Sequence, residues 1–188
     1  MNGRMLFDKF NVIIKFITIL FDSLPNVITN FIYNHSRNSE SKIAIFIRFL
    51  YVKKNAKSCG DNIYIGQNVV IKGLQELDLK NNISIHAFSY IDATGGLVIN
   101  DNTSIASHVC IYTFEHTWSN IKLPIKYNNI RYKKVYIEND VWIGTNSVIL
   151  GGVTIEHRSI IAAGAVVNSK VRTGTIVGGV PAKLIKQI

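Results

Sequence analysis

The chain has 188 residues, a net charge of +9 and 47% hydrophobic residues, which leaves room for one globular domain plus an appendage. Its two cysteines, Cys59 and Cys110, form neither a CxxC nor a disulfide framework, so a reducing cytoplasm is the simplest setting. The positive charge invites acidic partners such as phosphorylated cofactors, sugar nucleotides or anionic lipid, but the basic residues are scattered and carry no nucleic-acid-binding motif, so nucleic acid is set aside.

In residues 5–24, Phe7, Phe10, Ile14, Ile17, Phe21 and Leu24 recur at helical spacing. Asp8, Asn11, Lys15, Thr18 and Asp22 follow the same rhythm, so the spacing predicts a largely apolar helix with a narrow polar stripe. Its uninterrupted apolar runs are far shorter than the roughly 18 residues a membrane span needs. No small-residue cleavage site follows, so it does not read as a cleaved signal. Either it packs on the rest of the molecule or a neighbouring subunit, or it lies at a membrane interface. Pro25 separates it from a second helix at 26–33, and 34–41 is a polar linker. Ile43 to Val52 reads as a third helix with a single charge, Arg48, followed by Lys53, Lys54 and Lys57. Residues 1–57 are thus a helical, apolar and basic N-terminal region, expected to pack on the molecule or to touch the inner face of the cell membrane peripherally.

From residue 58 the pattern changes. Ile137, Ile143, Ile149, Ile155, Ile161 and Val167 stand six apart, with Val141, Ser147, Val153, Ser159, Ala165 and Val171 four residues after each. A period of six fits neither a helix nor a hairpin sheet; it fits a chain wound round a triangular prism, aliphatic residues inward. Upstream, Ile65, Ile85 and Ile105 are 20 apart, which is three hexads plus a two-residue corner insertion. The gap from Ile105 to Ile143 is 38, so either one further coil is present or a loop is extruded. The stretch 116–134 lacks the hexad and carries Pro124, Asn128, Asn129 and several charges; it is expected to be that loop. The prism is expected over 58–178, and the tail, 179–188, to form a short helix from Ala182, since Pro181 suits a helix start.

Four segments carry a resemblance: Val-Tyr-Ile-Glu-Asn-Asp-Val-Trp-Ile-Gly (135–144), Gly-Gly-Val-Thr-Ile (151–155), Ala-Ala-Gly-Ala-Val-Val (162–167) and Gly-Gly-Val-Pro-Ala-Lys-Leu-Ile (178–185). Together they resemble the hexapeptide-repeat acyltransferases, in the sugar O-acetyltransferase branch, over residues 58–188. The resemblance implies a left-handed parallel β-helix, a homotrimer, and acetyl-CoA as acyl donor bound between neighbouring subunits, with no metal. It implies acetyl transfer to a sugar hydroxyl, in the biosynthesis of a surface polysaccharide such as capsule, O-antigen or exopolysaccharide.

The family's catalytic histidine opens the extruded loop, after a strand shaped like Val-Cys-Ile-Tyr-Thr (109–113), and the matching residue is His116. A sugar hydroxyl is a weak nucleophile, and an imidazole can take its proton as it attacks the thioester. A lone loop histidine is ordinarily a bland surface residue; the motif reverses that reading. Asp92 resembles a position that meets the acceptor or orients the base, against the plain alternative of an Asx turn before Gly95. Backbone N–H groups of Gly144 or Thr145 are the implied oxyanion donors. Trp142, Ala163 and Gly164 are implied along the pantetheine arm, and Lys183 and Lys186 near the nucleotide phosphates. Relatives often carry Thr-Lys after Ala-Gly-Ala, where this chain has Asn168-Ser169-Lys170. The alternatives are an N-acetyltransferase of an amino sugar or sugar nucleotide, a zinc-dependent carbonic-anhydrase-like protein using His86, His108 and His116, and a non-catalytic trimeric scaffold.

Overall fold

The computed structural model describes residues 10–188. Three helices come first: α1 (Asn11–Ser23), α2 (Asn26–Ser36) and α3 (Lys42–Asn55). The part of the first expected helix before Phe10 lies outside the described residues. Leu24 is extended, as a residue preceding proline prefers, and this ends α1. The Ser41 side chain caps α3 by accepting from the Ala44 N–H at 3.2 Å.

α3 packs against the first turn of the strand region, burying Phe49, Leu50 and Val52. Arg48 goes inside with them and is only 1% exposed. Its Nε donates to the Ile65 carbonyl at 2.8 Å, and its Nη1 donates to the carbonyls of Ser36 and Ser39. The Arg48 side chain therefore pins the polar linker to the first coil. Carbonyls take the protons of Nε and Nη1, which makes a buried guanidinium tolerable, while the buried Nη2 has no hydrogen-bond partner among the described residues.

The remaining chain winds into three parallel sheets. The first face holds β1 (Ser58–Cys59), β4 (Leu77–Leu79), β7 (Leu97–Ile99), β12 (Val135–Ile137) and β15 (Thr154–Ile155). The second holds β2 (Ile63–Ile65), β5 (Ile83–Ile85), β8 (Ser104–Ile105), β13 (Trp142–Ile143), β16 (Ile160–Ile161) and β18 (Thr175–Gly178). The third holds β3 (Val70–Lys72), β6 (Tyr90–Asp92), β9 (Cys110–Tyr112), β14 (Val148–Ile149) and β17 (Val166–Val167). Each of five coils contributes one strand per face and β18 belongs to a sixth, so that about six coils form the left-handed parallel β-helix that the resemblance implies. Ile65, Ile85, Ile105, Ile143 and Ile161 lie in register in one inward column, all fully buried. Each such burial contributes about 1.5–3 kcal/mol.

The corners need left-handed backbone. Asn62, Asn82, Asn102, Asp140 and Arg158 form one positive-φ column, and asparagine tolerates that conformation better than most residues. The asparagine amides also ladder: Asn62 donates to Asn82 at 3.0 Å and Asn82 to Asn102 at 3.1 Å.

The 38-residue gap is an extruded loop rather than a coil, because β8 pairs directly with β13. The loop is the end of an antiparallel hairpin, β10 (Phe114–His116) with β11 (Ile130–Tyr132), so the departure from the prism begins two residues before His116. The tail departs from expectation. Residues Lys183–Gln187 form a strand, β19, antiparallel to β18, and not a helix from Ala182. Gly179, at φ 92°, helps turn the chain back, and β18 would otherwise offer an open edge that a returning strand satisfies.

Candidate active site

His116 is the last residue of β10, at the mouth of the loop. Asn128 braces that loop: its carbonyl oxygen accepts from the Asn120 N–H, and its amide nitrogen donates to the carbonyls of Asn120, Leu123 and Pro124. The Thr117 N–H also donates to the Asn129 carbonyl at 3.0 Å, closing the hairpin just past the histidine.

Alternation along β10 places Phe114 and His116 on one side and Glu115 on the other. The Phe114 and His116 rings meet edge-on, 6.5 Å between centroids. Across the hairpin Phe114 pairs with Tyr132 and His116 with Ile130. Glu115 turns to cations, 2.8 Å from Lys133 and 3.6 Å from Arg131. The adjacent carboxylate is therefore not an orienting partner, and among the described residues the exposed imidazole of His116 makes no hydrogen bond.

Asp92 sits on β6 and is 4% exposed. Its Oδ1 accepts from the Thr94 N–H at 3.1 Å and the Thr94 hydroxyl at 2.6 Å, so the Asx turn is present. Its Oδ2 makes no hydrogen bond among the described residues. Asp92 does not bond His116; the Thr113 hydroxyl donates to the Asp92 carbonyl at 2.9 Å and accepts from the Gly95 N–H at 2.7 Å. Gly95 is required here, because a Cβ would lie 1.9 Å from the Thr113 carbonyl oxygen.

The residues read along the acyl-donor path gather on two adjacent coils. The Gly164 N–H donates to the Thr145 carbonyl at 2.8 Å, and a Cβ on Gly144 would meet the Ala163 nitrogen at 2.7 Å. Ala163 and Gly164 are exposed, with open space around the position of a Gly164 Cβ. Trp142 is exposed on β13, beside a groove of about 340 Å³ shared with Ser104, Arg158 and Ile188. One expectation needs correcting. The Gly144 N–H donates to the Ile161 carbonyl at 2.9 Å as part of the coil ladder, so it is not free for an oxyanion. The Thr145 N–H has no partner among the described residues.

Lys183 and Lys186 are exposed on β19. Lys183 lines a cavity of about 780 Å³ at the C-terminal end of the prism, together with Lys170 and Arg172. There Lys170 lies 2.5 Å from Glu156, and its hydrogen bond holds the Glu156 carboxyl below its ordinary value. The part of Arg172 escaped the sequence reading, since nothing along the chain ties it to Lys183. The other histidines are engaged within the fold. His86 meets the Tyr64 ring, His108 stacks on Phe88, and His157 hydrogen-bonds the Asn139 carbonyl.

A family model described as bacterial transferase hexapeptide (six repeats) matches residues 134–169. The chain is 33% identical over 139 residues to dTDP-4-amino-4,6-dideoxy-D-glucose acyltransferase from Escherichia coli, across 68% of this chain and 72% of that protein. Its fold is similar to that of a hexapeptide-repeat acetyltransferase from Vibrio cholerae O1 biovar eltor, solved with acetyl-coenzyme A (TM-score 0.74, 24% identity, 85% of this chain and 84% of that one). It is also similar to that of a maltose O-acetyltransferase from Clostridium difficile 630 (TM-score 0.72, 24% identity, 97% of this chain and 88% of that one).

Proposed function

Because the chain belongs to the hexapeptide-repeat family of bacterial acyltransferases, we propose that it transfers an acetyl group from acetyl-CoA to a sugar hydroxyl, with His116 as general base. The observation that carries this reading is the exposed imidazole of His116, without a hydrogen-bond partner among the described residues and held at the mouth of a braced loop beside the Phe114 ring. The imidazole takes the hydroxyl proton as that oxygen attacks the thioester carbonyl. The tetrahedral intermediate then collapses and expels the CoA thiolate, which takes from the imidazolium the proton that the hydroxyl gave up. The Thr145 N–H is the donor left for the oxyanion, and Asp92 Oδ2 is an acceptor for a second sugar hydroxyl. The thin pantetheine arm runs past Ala163 and Gly164 with Trp142 at its side, and Lys183 and Lys186 serve the phosphates.

A second reading, N-acylation of an amino sugar, is favoured by the E. coli relative, whose name specifies a 4-amino sugar nucleotide. The test is CoA release from acetyl-CoA with a panel of hydroxyl and amino acceptors, comparing wild type with His116→Ala. Acceptor-dependent release that falls by about 100-fold or more supports the base assignment, and the acceptor that works separates the two readings. Unchanged release rules out His116 as the base.

The assembly we propose is a homotrimer. The loop's Trp118, Ile121 and Tyr127 are exposed and offer apolar contacts to a neighbouring copy. The acceptor we propose belongs to surface-polysaccharide assembly and is lipid-linked or membrane-proximal, in the cytoplasm. The free thiols of Cys59 and Cys110 and the exposed apolar side of α1 support that placement. Among the described residues no helix is long and apolar enough to cross a membrane.

A further inference from the structure

We propose that Lys72, Tyr90, Asp92, Tyr112 and Phe114 form an acceptor track ending at His116, which takes a saccharide bearing an acidic group away from its reacting position. The inference rests on the transferase reading and gives its acceptor a chemistry.

The track starts on the outer face of the third sheet and passes onto β10 of the hairpin. Ile91 and Ile111 take the inward positions, so Tyr90, Asp92 and Tyr112 project outward. Lys72, Asp92 and Tyr112 stand side by side in register on three successive coils. The rings run on without a break: Tyr90 to Tyr112 at 5.6 Å, Tyr112 to Phe114 at 6.4 Å, and Phe114 to His116 at 6.5 Å. At the far end, Lys72 Nζ sits 5.5 Å over the Tyr90 ring and makes no ion pair among the described residues.

Outward aromatic rings do nothing for the inside of the prism. All three are half-buried, so each keeps some surface exposed. A sugar ring has an apolar face of C–H bonds and an edge of hydroxyls. Ring faces beside a fixed carboxylate match both, and Asp92 is fixed by Thr94 while its Oδ2 stays unbonded. The ladder has more steps than one pyranose can cover, and it ends in a cation. That end calls for an anion, either the carboxylate of a uronic acid or the diphosphate of a nucleotide sugar.

The experiment uses the full chain and saturation-transfer NMR with three probes: maltotriose, a glucuronic-acid-containing disaccharide and dTDP-glucose. Wild type is compared with Tyr112→Ala and with the exposed Lys72→Gln, and thermal melts verify that each variant folds. Tyr112→Ala should weaken binding of every probe about tenfold, within the range of single stacking contacts. Lys72→Gln should weaken the acidic probe that binds best and leave maltotriose unchanged; which acidic probe responds names the source of the anion. Both variants should raise the acceptor KM and spare the KM for acetyl-CoA. Failure of wild type to bind any probe, or equal binding by folded Lys72→Gln, overturns the track. Binding that responds to the variants without CoA release from any acceptor would leave the track standing and overturn the transferase reading. Release that needs His116 but ignores both variants would do the reverse.

Discussion

Ile143 lies in register with Ile105, although 38 residues separate them in the chain. The prism therefore passes from one coil to the next as though the hairpin were not there. Replacing residues 117–129 with a two-residue Asn-Gly turn should keep the melting temperature within about 4 °C of wild type, roughly 1 kcal/mol. The same variant should lose acceptor-dependent CoA release, because the wall beside His116 is gone. A collapse in the melt would mean that the loop holds the coils together.

Two glycines on neighbouring coils should respond differently to alanine. A Cβ on Gly144 would meet backbone atoms of the next coil, the Ala163 nitrogen at 2.7 Å and the Ile161 oxygen at 2.8 Å, neither of which can move aside. Gly144→Ala should lower stability by about 1–3 kcal/mol, read by urea unfolding. Gly164, at φ 72°, has open space around its Cβ position, so its alanine carries only the strain of left-handed backbone, about 1–2 kcal/mol. What distinguishes Gly164→Ala is function: the added methyl enters the proposed pantetheine path and should raise the KM for acetyl-CoA.

Cys59 gives the chain an alkaline limit. Burial, against a smaller opposing effect of the Lys53 ammonium, pushes its thiol up from 9.0 to about 12. The folded state thus keeps the proton while the unfolded chain releases it. Stability from this group is complete below about pH 9 and drains away as the pH climbs toward about 12. Urea midpoints measured across that window should fall more steeply for wild type than for Cys59→Ala; parallel curves would refute the assignment.

The outer side of α1 is the test of the membrane reading. Val12, Ile13, Phe16, Ile19 and Leu20 are each at least half exposed. Its 13 residues span about 20 Å, short of a bilayer core near 30 Å, so this helix can lie on a membrane but not cross it. With the surrounding lysines, sedimentation with phosphatidylglycerol vesicles should exceed that with phosphatidylcholine, and Phe16→Glu with Ile19→Glu should abolish it. Vesicle binding that survives the double substitution, together with a lower mass in light scattering, would make this face a contact between copies instead.

The prism was legible because its rule is short-ranged and repeated: every sixth position must be aliphatic, and the chain says so for Ile137 through Val167. The tail was misread because Pro181 and Ala-Lys-Leu-Ile suit a helix locally, whereas the open edge of β18 decides the matter from outside the segment. The same limit hid Arg48, whose partners at Ser36, Ser39 and Ile65 are scattered along the chain. His116 was legible only through its motif. The commitment of the Gly144 N–H to Ile161 was not, since a ladder partner is known only once the coils are stacked.

The reversed direction of β19 bears on how such a molecule changes length. Every other neighbouring pair within the three faces is parallel, so an added coil would find the same template it found before. The antiparallel strand alone breaks the template and works as a stop codon written in structure. Duplication of a whole 18-residue coil upstream of β18 would lengthen the rod by one step and leave its ending intact. Growth by such duplication is quantised, one coil at a time.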